Sequence, residues 1–531
     1  MHSAATAIRC VRFTALTRLF AALTLTMVLT GCAAPDYFSG HNTTPTRLFS
    51  VGYKNLSDRY IDPVDLGEIS LAGLVTLSEV DPDMQVAASG GNVTLVTAAG
   101  TAGEWRSPGK DDATGWAELI GEALARARAV SNKVNAEPQG KLSDMIFTGA
   151  MSKLDRYSRY ANPEHARQNR ASRDGFGGLG ISIKVKNGVT EIVKVHAGTP
   201  AAAAGLRVKD RISRIDKQPI KGFSQRDVVT ALRGKRGSTV KLGIERDGAA
   251  GPLSIAVTRA FIVIPTVTAH RDRGLLILKI TSFNQGTTSA VSHELTLAEH
   301  EMGGKLRGIV LDLRDNPGGL LDQAISMSDL FLSDGAILFT QGRHPRSRQI
   351  FDASWGELAS GIPIVLLVNG RSASSAEIVA IALRDRGRAV VIGSSSYGKG
   401  TVQTIIGLPN GGELTMTWAR MHAPSGFAIQ EHGIIPAICT SVPLQDVERL
   451  LKGLRSDRKA GAGQLSGQLN ARLRNAADSD HARKACPPKK TEPEADMEIA
   501  RKLLFDRYLY QRTLVDGLPA IANRQIPGLT H

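Results

Sequence analysis

The sequence predicts an α/β core with an inserted small α+β module and a mainly helical N-terminal region. Apolar runs typical of buried parallel strands alternate with helical patterns in the second half of the chain. Short alternating segments separated by glycine turns come before them. A chain of 531 residues is also too long for one hydrophobic core. We therefore assign the helical region to residues 47–165, the module to 170–260, the core to 261–440 and a helical or low-complexity extension to 441–531.

The N-terminus reads as an export signal. Three arginines precede an apolar run of about eleven residues, Leu19–Leu29, which fits a signal peptide, whereas a bilayer-spanning helix needs roughly twenty residues. The run ends in Leu-Thr-Gly-Cys, which resembles a bacterial lipobox, so we predict a signal peptide over 1–31, a lipidated Cys32 and a tether over 32–46. Ala33, where Asp would indicate inner-membrane retention, favours the periplasmic face of the outer membrane. The alternative is an ordinary signal peptide with an incidental cysteine.

Cysteine usage agrees with export. Cys10 would leave with the signal and Cys32 would carry lipid, which leaves Cys439 and Cys486. An oxidising compartment would let these two form a disulfide, although the sequence leaves their geometry open. No metal-ligand spacing occurs among the cysteines and histidines, and we expect no metal or organic cofactor.

The basic charge is concentrated in one part of the chain. The formal net charge is +15. Residues 170–259 hold 18 Lys and Arg against 7 Asp and Glu, a local balance of +11. This fits a module that attracts anionic ends or surfaces, and the alternative is a solvated basic face. We expect no nucleic-acid partner.

The elements of each part follow from the same patterns. In the N-terminal region, residues 114–133 read as a helix and the glycine-rich residues 87–109 as a hairpin or loop. For the module we predict strands over 180–185, 189–195, 210–215 and 239–246 and a helix over 224–232 with Ser224 as its N-cap. For the core we predict strands over 275–280, 308–313, 362–368 and 389–392 and helices over 320–332 and 374–384. For the extension we predict helices over 444–454 and 496–514 around a polar stretch at 478–494.

Two motifs follow predicted core strands with turns. Asn369–Ile378 holds several serines and opens a helix, where unpaired N–H groups and the helix dipole favour an anion or a reactive hydroxyl. Taken alone, it is more simply a serine-rich N-cap. Leu311–Gly319 leaves a strand and ends in Gly-Gly, which allows close backbone approach, although a tight turn explains it equally well.

A third motif, Gly393–Gln403, nearly spells a phosphate-binding P-loop. Gly400 occupies the position of the Mg²⁺-binding hydroxyl, and no clear helix start follows. The segment therefore does not predict nucleotide binding.

Together, the three motifs resemble the C-terminal processing (tail-specific) peptidases over residues 150–440. The shared features are Leu-Arg-x-Asn-Pro-Gly-Gly at 313–319, the serine turn at 372–377, Gly-Lys-Gly-x-x-Gln at 398–403 and Gly-Ile-x-Pro at 433–436. The resemblance implies a crotonase/ClpP-like core. It also implies a nucleophile Ser374, a base Lys399 and a Gln403 that orients the lysine, with the N–H groups of Gly318 and Ser375 as the oxyanion hole. Burial would lower the lysine pKa so that it could deprotonate the serine.

The module contains a glycine-rich loop at its start. Gly175–Ile183 includes Gly-x-Gly-x-x-Gly, but it follows a polar linker and opens a strand, so we reject a dinucleotide site. It resembles the carboxylate-binding loop of a PDZ domain, which implies that Phe176, Gly177, Gly178, Leu179 and Gly180 bind peptide.

The resemblance implies an exported serine endopeptidase that docks the C-terminal tails of protein substrates. An adaptor lipoprotein is a candidate partner, and a lipid anchor would attach the chain to the membrane. Two alternatives stay open at this point. One is a catalytically inactive PDZ scaffold. The other is a cell-wall-binding protein whose basic segment engages anionic polymers.

Overall fold

The computed structural model describes residues 43–354, 356–441, 444–455, 476–489 and 493–516. The predicted signal peptide, Cys32 and the tether up to residue 42 lie outside these ranges.

The N-terminal region is helical with one small antiparallel sheet, and the rings of Phe49 and Phe147 stack in its core at 4.3 Å. The predicted helix is confirmed, and the predicted hairpin has a third strand. Leu414 and Met416 of a later strand belong to the same hydrophobic cluster, so this region packs on the core domain. Its elements are α1 (Pro45–Arg59), α2 (Leu66–Val75), a 3₁₀ turn (Thr76–Glu79), β1 (Gln85–Ser89), β2 (Asn92–Thr97), β3 (Gly100–Arg106), α3 (Ala113–Val130), α4 (Asn132–Ala136) and α5 (Gln139–Met151).

A short connection joins this region to the module. Strand β4 (Arg159–Ala161) pairs with a strand of the core, and α6 (Pro163–Arg173) then leads to the module. The side chain of Asn162 caps α6 by accepting from the N–H of His165 at 2.9 Å. The chain therefore contacts the core before the module begins, and the module is an insertion.

The module is a small sheet with two helices, and its main strands run in the order β11-β10-β8-β7-β6. Strand β5 pairs with β12, so the chain enters and leaves the module side by side. The predicted N-cap is confirmed, since Ser224 Oγ accepts from the N–H of Asp227. The elements are β5 (Phe176–Gly178), β6 (Ile181–Lys186), β7 (Val189–Val195), α7 (Pro200–Ala203), β8 (Arg211–Ile215), β9 (Gln218–Pro219), α8 (Gln225–Leu232), β10 (Thr239–Glu245), β11 (Leu253–Thr258) and β12 (Ala260–Ile262).

The core holds two sheets, ordered β13-β14-β15-β18-β19-β22 and β17-β16-β21-β20. All four predicted core strands are confirmed, and they pair in parallel as neighbours. The helix α9 was not predicted. The elements are β13 (Val267–Asp272), β14 (Leu275–Ile280), α9 (Thr287–Met302), a 3₁₀ turn (Gly303–Lys305), β15 (Gly308–Asp312), α10 (Leu321–Asp329), β16 (Ala336–Gln341), a 3₁₀ turn (Pro345–Ser347), β17 (Gln349–Asp352), β18 (Ile364–Val368), α11 (Ser375–Asp385), β19 (Ala389–Gly393), β20 (Thr401–Gly407), β21 (Glu413–His422) and β22 (Ile438–Cys439).

The parallel sheet brings the three motifs together. Strands β15, β18 and β19 are adjacent, and each motif begins where one of these strands ends. Because the carboxyl ends of parallel strands meet at one edge, the three turns converge there.

The extension covers one face of the parallel sheet. Ile499, Leu503 and Leu509 pack in a cluster with Val310 and Val365. The helix predicted over 496–514 is interrupted at Asp506, whose side chain accepts from the N–H of Leu509 and starts a new helix. The polar stretch predicted at 478–494 is partly helical. The elements are α12 (Leu444–Arg455), α13 (Ala476–Ala485), α14 (Pro493–Phe505) and α15 (Arg507–Asp516).

Candidate active site

Ser374 sits on a strained turn between β18 and α11. Its φ is +53°, a left-handed conformation that a non-glycine residue adopts at a cost of about 1 kcal/mol or more. The turn is held from outside, because the N–H of Ala373 donates to the carbonyl of Asn316 at 2.9 Å. The N–H of Ser374 donates to Glu377 Oε2 at 2.8 Å. These contacts hold the hydroxyl-bearing residue at the helix N-terminus.

The Gly-Gly turn lies directly against the serine turn. Gly318 has a φ of +98°, and a Cβ added there would lie 2.8 Å from both the carbonyl oxygen of Ala373 and the Cβ of Ser374. A Cβ on Gly319 would lie 2.0 Å from the carbonyl oxygen of Phe283. Both glycines are therefore required by close backbone approach.

Lys399 lies on the loop between β19 and β20 and lines the same cavity as Ser374. Burial lowers the pKa of Lys399, the positive charge of Arg159 lowers it further, and the carboxylates of Glu377 and Asp155 oppose these effects. Its Nζ lies 5.1 Å from the centre of the Tyr157 ring. In this structure no hydrogen bond joins Lys399 Nζ to Ser374 Oγ, and the amine instead rests on the aromatic face.

Glu377 connects the serine turn to the lysine loop, a role that the sequence did not reveal. It is fully buried, and its Oε2 accepts from the N–H groups of Ser374 and Lys399 at 2.8 and 2.9 Å. Its Oε1 accepts from the N–H of Gly398 at 2.7 Å and from the hydroxyl of Ser396. Burial raises the pKa of Glu377, and these hydrogen bonds oppose the rise. A Glu at N3 of a helix signals a capping box, and that signal could have indicated this residue.

Gln403 lines the cavity but makes no hydrogen bond to Lys399, so the structure does not show the predicted orienting interaction. Its Nε2 donates to Thr401 Oγ1 at 2.9 Å and to Thr417 Oγ1 at 3.3 Å. The hydroxyl of Thr417 in turn donates to Asp155 Oδ2 at 2.6 Å. The threonine hydroxyls fix the amide in place because β20 and β21 pair across this position.

The two N–H groups predicted to form the oxyanion hole differ in whether they already have a hydrogen-bond acceptor. The N–H of Gly318 donates to Asn316 Oδ1 at 2.8 Å, so this predicted donor is already occupied in the structure. Within the described ranges, the N–H groups of Gly319 and Ser375 have no hydrogen-bond acceptor. The sequence alone does not indicate that the buried side chain of Asn316 accepts the N–H of Gly318 that an oxyanion would otherwise use.

Asp385 contacts neither Ser374 nor Lys399. It pairs with Arg384 at 2.8 Å and accepts from the hydroxyl of Ser425 at 2.5 Å. These contacts give it a structural part in holding the loop after β21.

The cavity that Ser374 and Lys399 share has a volume of about 380 Å³. Gly318, Ser375 and Gln403 also line it. The walls therefore bring a hydroxyl, a partly desolvated amine, an amide and backbone N–H groups to one space. This arrangement can support nucleophilic attack on a carbonyl with charge stabilisation.

A second cavity of about 280 Å³ lies in the module between β6 and α8. Four of the five predicted peptide-binding residues line it, namely Phe176, Gly178, Leu179 and Gly180. Gly177 does not, because it pairs with Phe261 in the neighbouring strand and its carbonyl accepts from the N–H of Gly234. The remaining wall is mostly apolar and includes Ile181, Ile183, Val229, Leu232 and Ile264.

Cys439 and Cys486 form a disulfide that joins β22 to the end of α13. Across the described residues, no group of three or more His, Cys, Asp or Glu side chains is arranged to hold a metal ion. No helix in the described part of the chain has the length and apolar character needed to cross a bilayer.

Two parts of the chain match known protein families. The sequence model of peptidase family S41 matches residues 274–440, and that of the PDZ domain matches residues 177–257. A carboxy-terminal-processing protease of Bartonella bacilliformis is 38% identical over 387 residues, which make up 72% of this chain and 87% of the relative. The carboxy-terminal processing protease CtpA of Bacillus subtilis is 34% identical over 306 residues, 57% of this chain and 65% of that protein. The solved structure of a photosystem II D1 C-terminal processing protease covers 77% of this chain and 97% of its own, with 22% identity and a TM-score of 0.38.

Proposed function

Because the chain belongs to peptidase family S41 and is a serine peptidase with a PDZ domain, we propose that it cleaves exported proteins near their C-terminal tails with a Ser374–Lys399 dyad. The observation that carries the proposal is the shared cavity, which both Ser374 and Lys399 line. Glu377 accepts hydrogen bonds from the backbone N–H groups of both residues and so holds their loops side by side. The further likeness of the core to the crotonase/ClpP class stays a prediction.

In the proposed reaction, neutral Lys399 takes the proton of Ser374 Oγ as the oxygen attacks the scissile carbonyl. Burial supports this step, since it disfavours the ammonium form. Lys399 must first leave the face of Tyr157 and approach the hydroxyl. The same amine then gives the proton to the leaving nitrogen, and water hydrolyses the acyl-enzyme. The side-chain amide of Gln403 would hydrogen-bond to the amine of Lys399 when the lysine moves toward Ser374.

The negative charge of the tetrahedral intermediate needs donors beside Ser374. We propose the N–H groups of Ser375 and Gly319, because neither has an acceptor among the described residues and both residues line the cavity. The N–H of Gly318 could serve only after releasing Asn316.

The PDZ cavity is the proposed docking site for the substrate tail. An extended peptide would add to β6, and its last side chain would enter the apolar space beside Leu179 and Val229. The local excess of 11 positive charges over residues 170–259 would attract a terminal carboxylate. The proposal also includes export, lipidation of Cys32, anchoring in the outer membrane and an adaptor lipoprotein as partner. The N-terminal sequence pattern supports these points.

Digestion of β-casein by the wild-type protein and by Ser374→Ala tests the peptidase dyad. Cleavage by the wild type and none by the variant is the expected result. Equal cleavage by both would remove Ser374 from the mechanism. No cleavage by either, with peptide binding retained, would favour an inactive scaffold. Mass spectrometry of lipid-modified Cys32 after expression in a bacterial host tests the anchor, and an unmodified mature N-terminus would contradict it.

A further inference from the structure

The segment 476–489, which we call the C-terminal brace, contacts the loops that carry the proposed catalytic pair. It lies outside the region that matches the peptidase family, which ends at residue 440. Its helix α13 ends near Cys486, and the disulfide to Cys439 fixes that end to β22, beside β19. The brace is therefore attached to the sheet edge from which the catalytic loops emerge.

Arg483 is the main contact between the brace and the lysine loop. Its Nη1 donates to the carbonyls of Ser396 at 2.8 Å and His432 at 2.7 Å. Its Nη2 donates to the carbonyl of Tyr397 at 3.1 Å. The planar guanidinium thus bridges two separate backbone segments, one of which reaches Lys399 two residues later.

The end of the brace also contacts the segment that leads from β18 into the serine turn. The carbonyl of Lys489 accepts from the N–H of Gly370 at 3.1 Å and from the hydroxyl of Ser394 at 2.8 Å. The hydroxyl of Ser395 donates to the carbonyl of Cys486. One short segment therefore fixes the bases of both loops relative to each other.

This placement matters because the lysine loop has no regular secondary structure of its own between β19 and β20. It is held by Glu377 on the inside, by the brace on the outside, and by backbone hydrogen bonds such as that from the N–H of Tyr397 to the carbonyl of Ser372. A displacement of about 1 Å between reacting groups can cost roughly 10²-fold in rate. Losing three hydrogen bonds from one guanidinium would permit such a displacement.

We propose that Arg483 is a positioning residue that sets Lys399 against Ser374, and that the Cys439–Cys486 disulfide keeps Arg483 in place. The inference rests on the proposed function and extends it to the C-terminal extension. Arg483 acts through the backbone of the loop and does not touch the substrate.

The pH dependence separates this role from general stabilisation. Lys399 faces Tyr157, Arg159, Asp155 and Glu377. A loosened loop would admit water to the amine and raise its pKa toward the ordinary lysine value. The acid limb of the kcat profile would then move to higher pH, since the amine must lose its proton to act as base.

The test compares Arg483→Ala, Arg483→Lys and wild type on a fluorogenic peptide with an apolar free C-terminus. For Arg483→Ala we expect kcat to fall about tenfold or more, KM to stay within about twofold, and the acid limb to shift upward. Arg483→Lys should recover part of kcat, because an ammonium can donate to the same carbonyls without the fork. Arg455→Ala is the matched control, since it removes an exposed arginine that pairs with Asp506 inside the extension. The control should match wild type.

An Arg483→Ala protein that melts like wild type and cleaves with unchanged kcat and pH profile would overturn the proposal. If that variant does not fold, Arg483→Gln takes its place, and kcat and the pH profile are measured in the same way. The Cys439→Ser/Cys486→Ser double variant should lower kcat in the same direction, and full activity would remove the disulfide from the proposal. If Ser374→Ala abolishes cleavage, the proposed peptidase function stands even when the Arg483 variants contradict the positioning role.

Discussion

The backbone N–H groups of Ser374 and Lys399 donate to the same oxygen, Oε2 of Glu377, at 2.8 and 2.9 Å. The two residues are 25 positions apart in the chain and lie on loops after neighbouring strands. A single buried carboxylate therefore sets the distance between their backbones, while the side chains keep the freedom to meet.

Replacing Glu377 should disable the peptidase and weaken the fold. Glu377→Ala leaves buried N–H donors without an acceptor, each costing about 1–3 kcal/mol. We expect kcat to fall by about 10²-fold or more and the melting temperature to drop by several degrees. Peptide cleavage and thermal unfolding measure both, with the exposed Glu494→Gln as control. Wild-type activity in Glu377→Ala would show that the shared carboxylate is dispensable.

Lys399 should make folding stability depend on pH. Its pKa is lowered in the folded protein, so the unfolded chain binds more protons and stability rises with pH between the folded value and the ordinary lysine value. Lys399→Met should abolish cleavage and raise the free energy of unfolding at pH 7 by about 1 kcal/mol or more. Its advantage should shrink as the pH approaches about 10. Urea unfolding at several pH values tests this, with the exposed Lys452→Met as control. A stability gain of Lys399→Met that does not change with pH would contradict a lowered pKa of Lys399 in the folded protein.

Gln403 should depend on the hydroxyl of Thr417. Thr417→Val removes the group that accepts from Gln403 and donates to Asp155. We expect kcat to fall by about tenfold with little change in KM, because the amide of Gln403 keeps only its hydrogen bond to Thr401 and is held less firmly. Steady-state kinetics measure the effect. Thr404→Val is the matched control, since the Thr404 hydroxyl makes no hydrogen bond within the described part of the chain. Equal kinetics for both variants would show that the hydrogen bonds of the Thr417 hydroxyl do not contribute to catalysis.

The Gly-Gly turn should tolerate no side chain at Gly318. Gly318→Ala forces a Cβ to within 2.8 Å of the serine turn at a φ of +98°, so activity should be lost and stability should fall by roughly 2 kcal/mol or more. Gly188→Ala also places alanine at positive φ but meets nothing within 4 Å. It should cost only about 1 kcal/mol and leave cleavage intact. Similar losses in both variants would show that backbone strain alone, and not the close approach, explains the effect.

Filling the PDZ cavity should weaken tail recognition alone. Val229→Trp places an indole in the space proposed for the last side chain of the substrate. For substrates with an apolar free C-terminus we expect KM to rise about tenfold over wild type, while a peptide with an amidated C-terminus should be cleaved at the same rate by the variant and by wild type. Val189→Trp, on an exposed hairpin of the same domain, is the control. Unchanged KM for the tailed substrate in Val229→Trp would separate this cavity from substrate docking.

The sequence by itself determined four neighbouring strands of the core and the position of the PDZ domain ahead of them, and through the family resemblance it proposed Ser374 and Lys399 as the reactive pair. The strands and the glycine turns follow from local signals, since apolar runs and glycines are readable along the chain. The proposed pair follows from the resemblance of several motifs together. The tertiary structure decided which polar groups satisfy one another. Gln403 binds threonines on paired strands instead of Lys399, and Asn316 takes the N–H of Gly318.

The same reason explains why the extension was uninformative as a sequence. Arg483 lies 84 residues beyond Lys399, and nothing in its neighbourhood marks it as different from other surface arginines. Its part appears only when the sheet brings the carbonyls of Ser396, Tyr397 and His432 together around one guanidinium. Hydrogen bonds are short-ranged and directional, so their partners are fixed by three-dimensional packing and cannot be read from residue order.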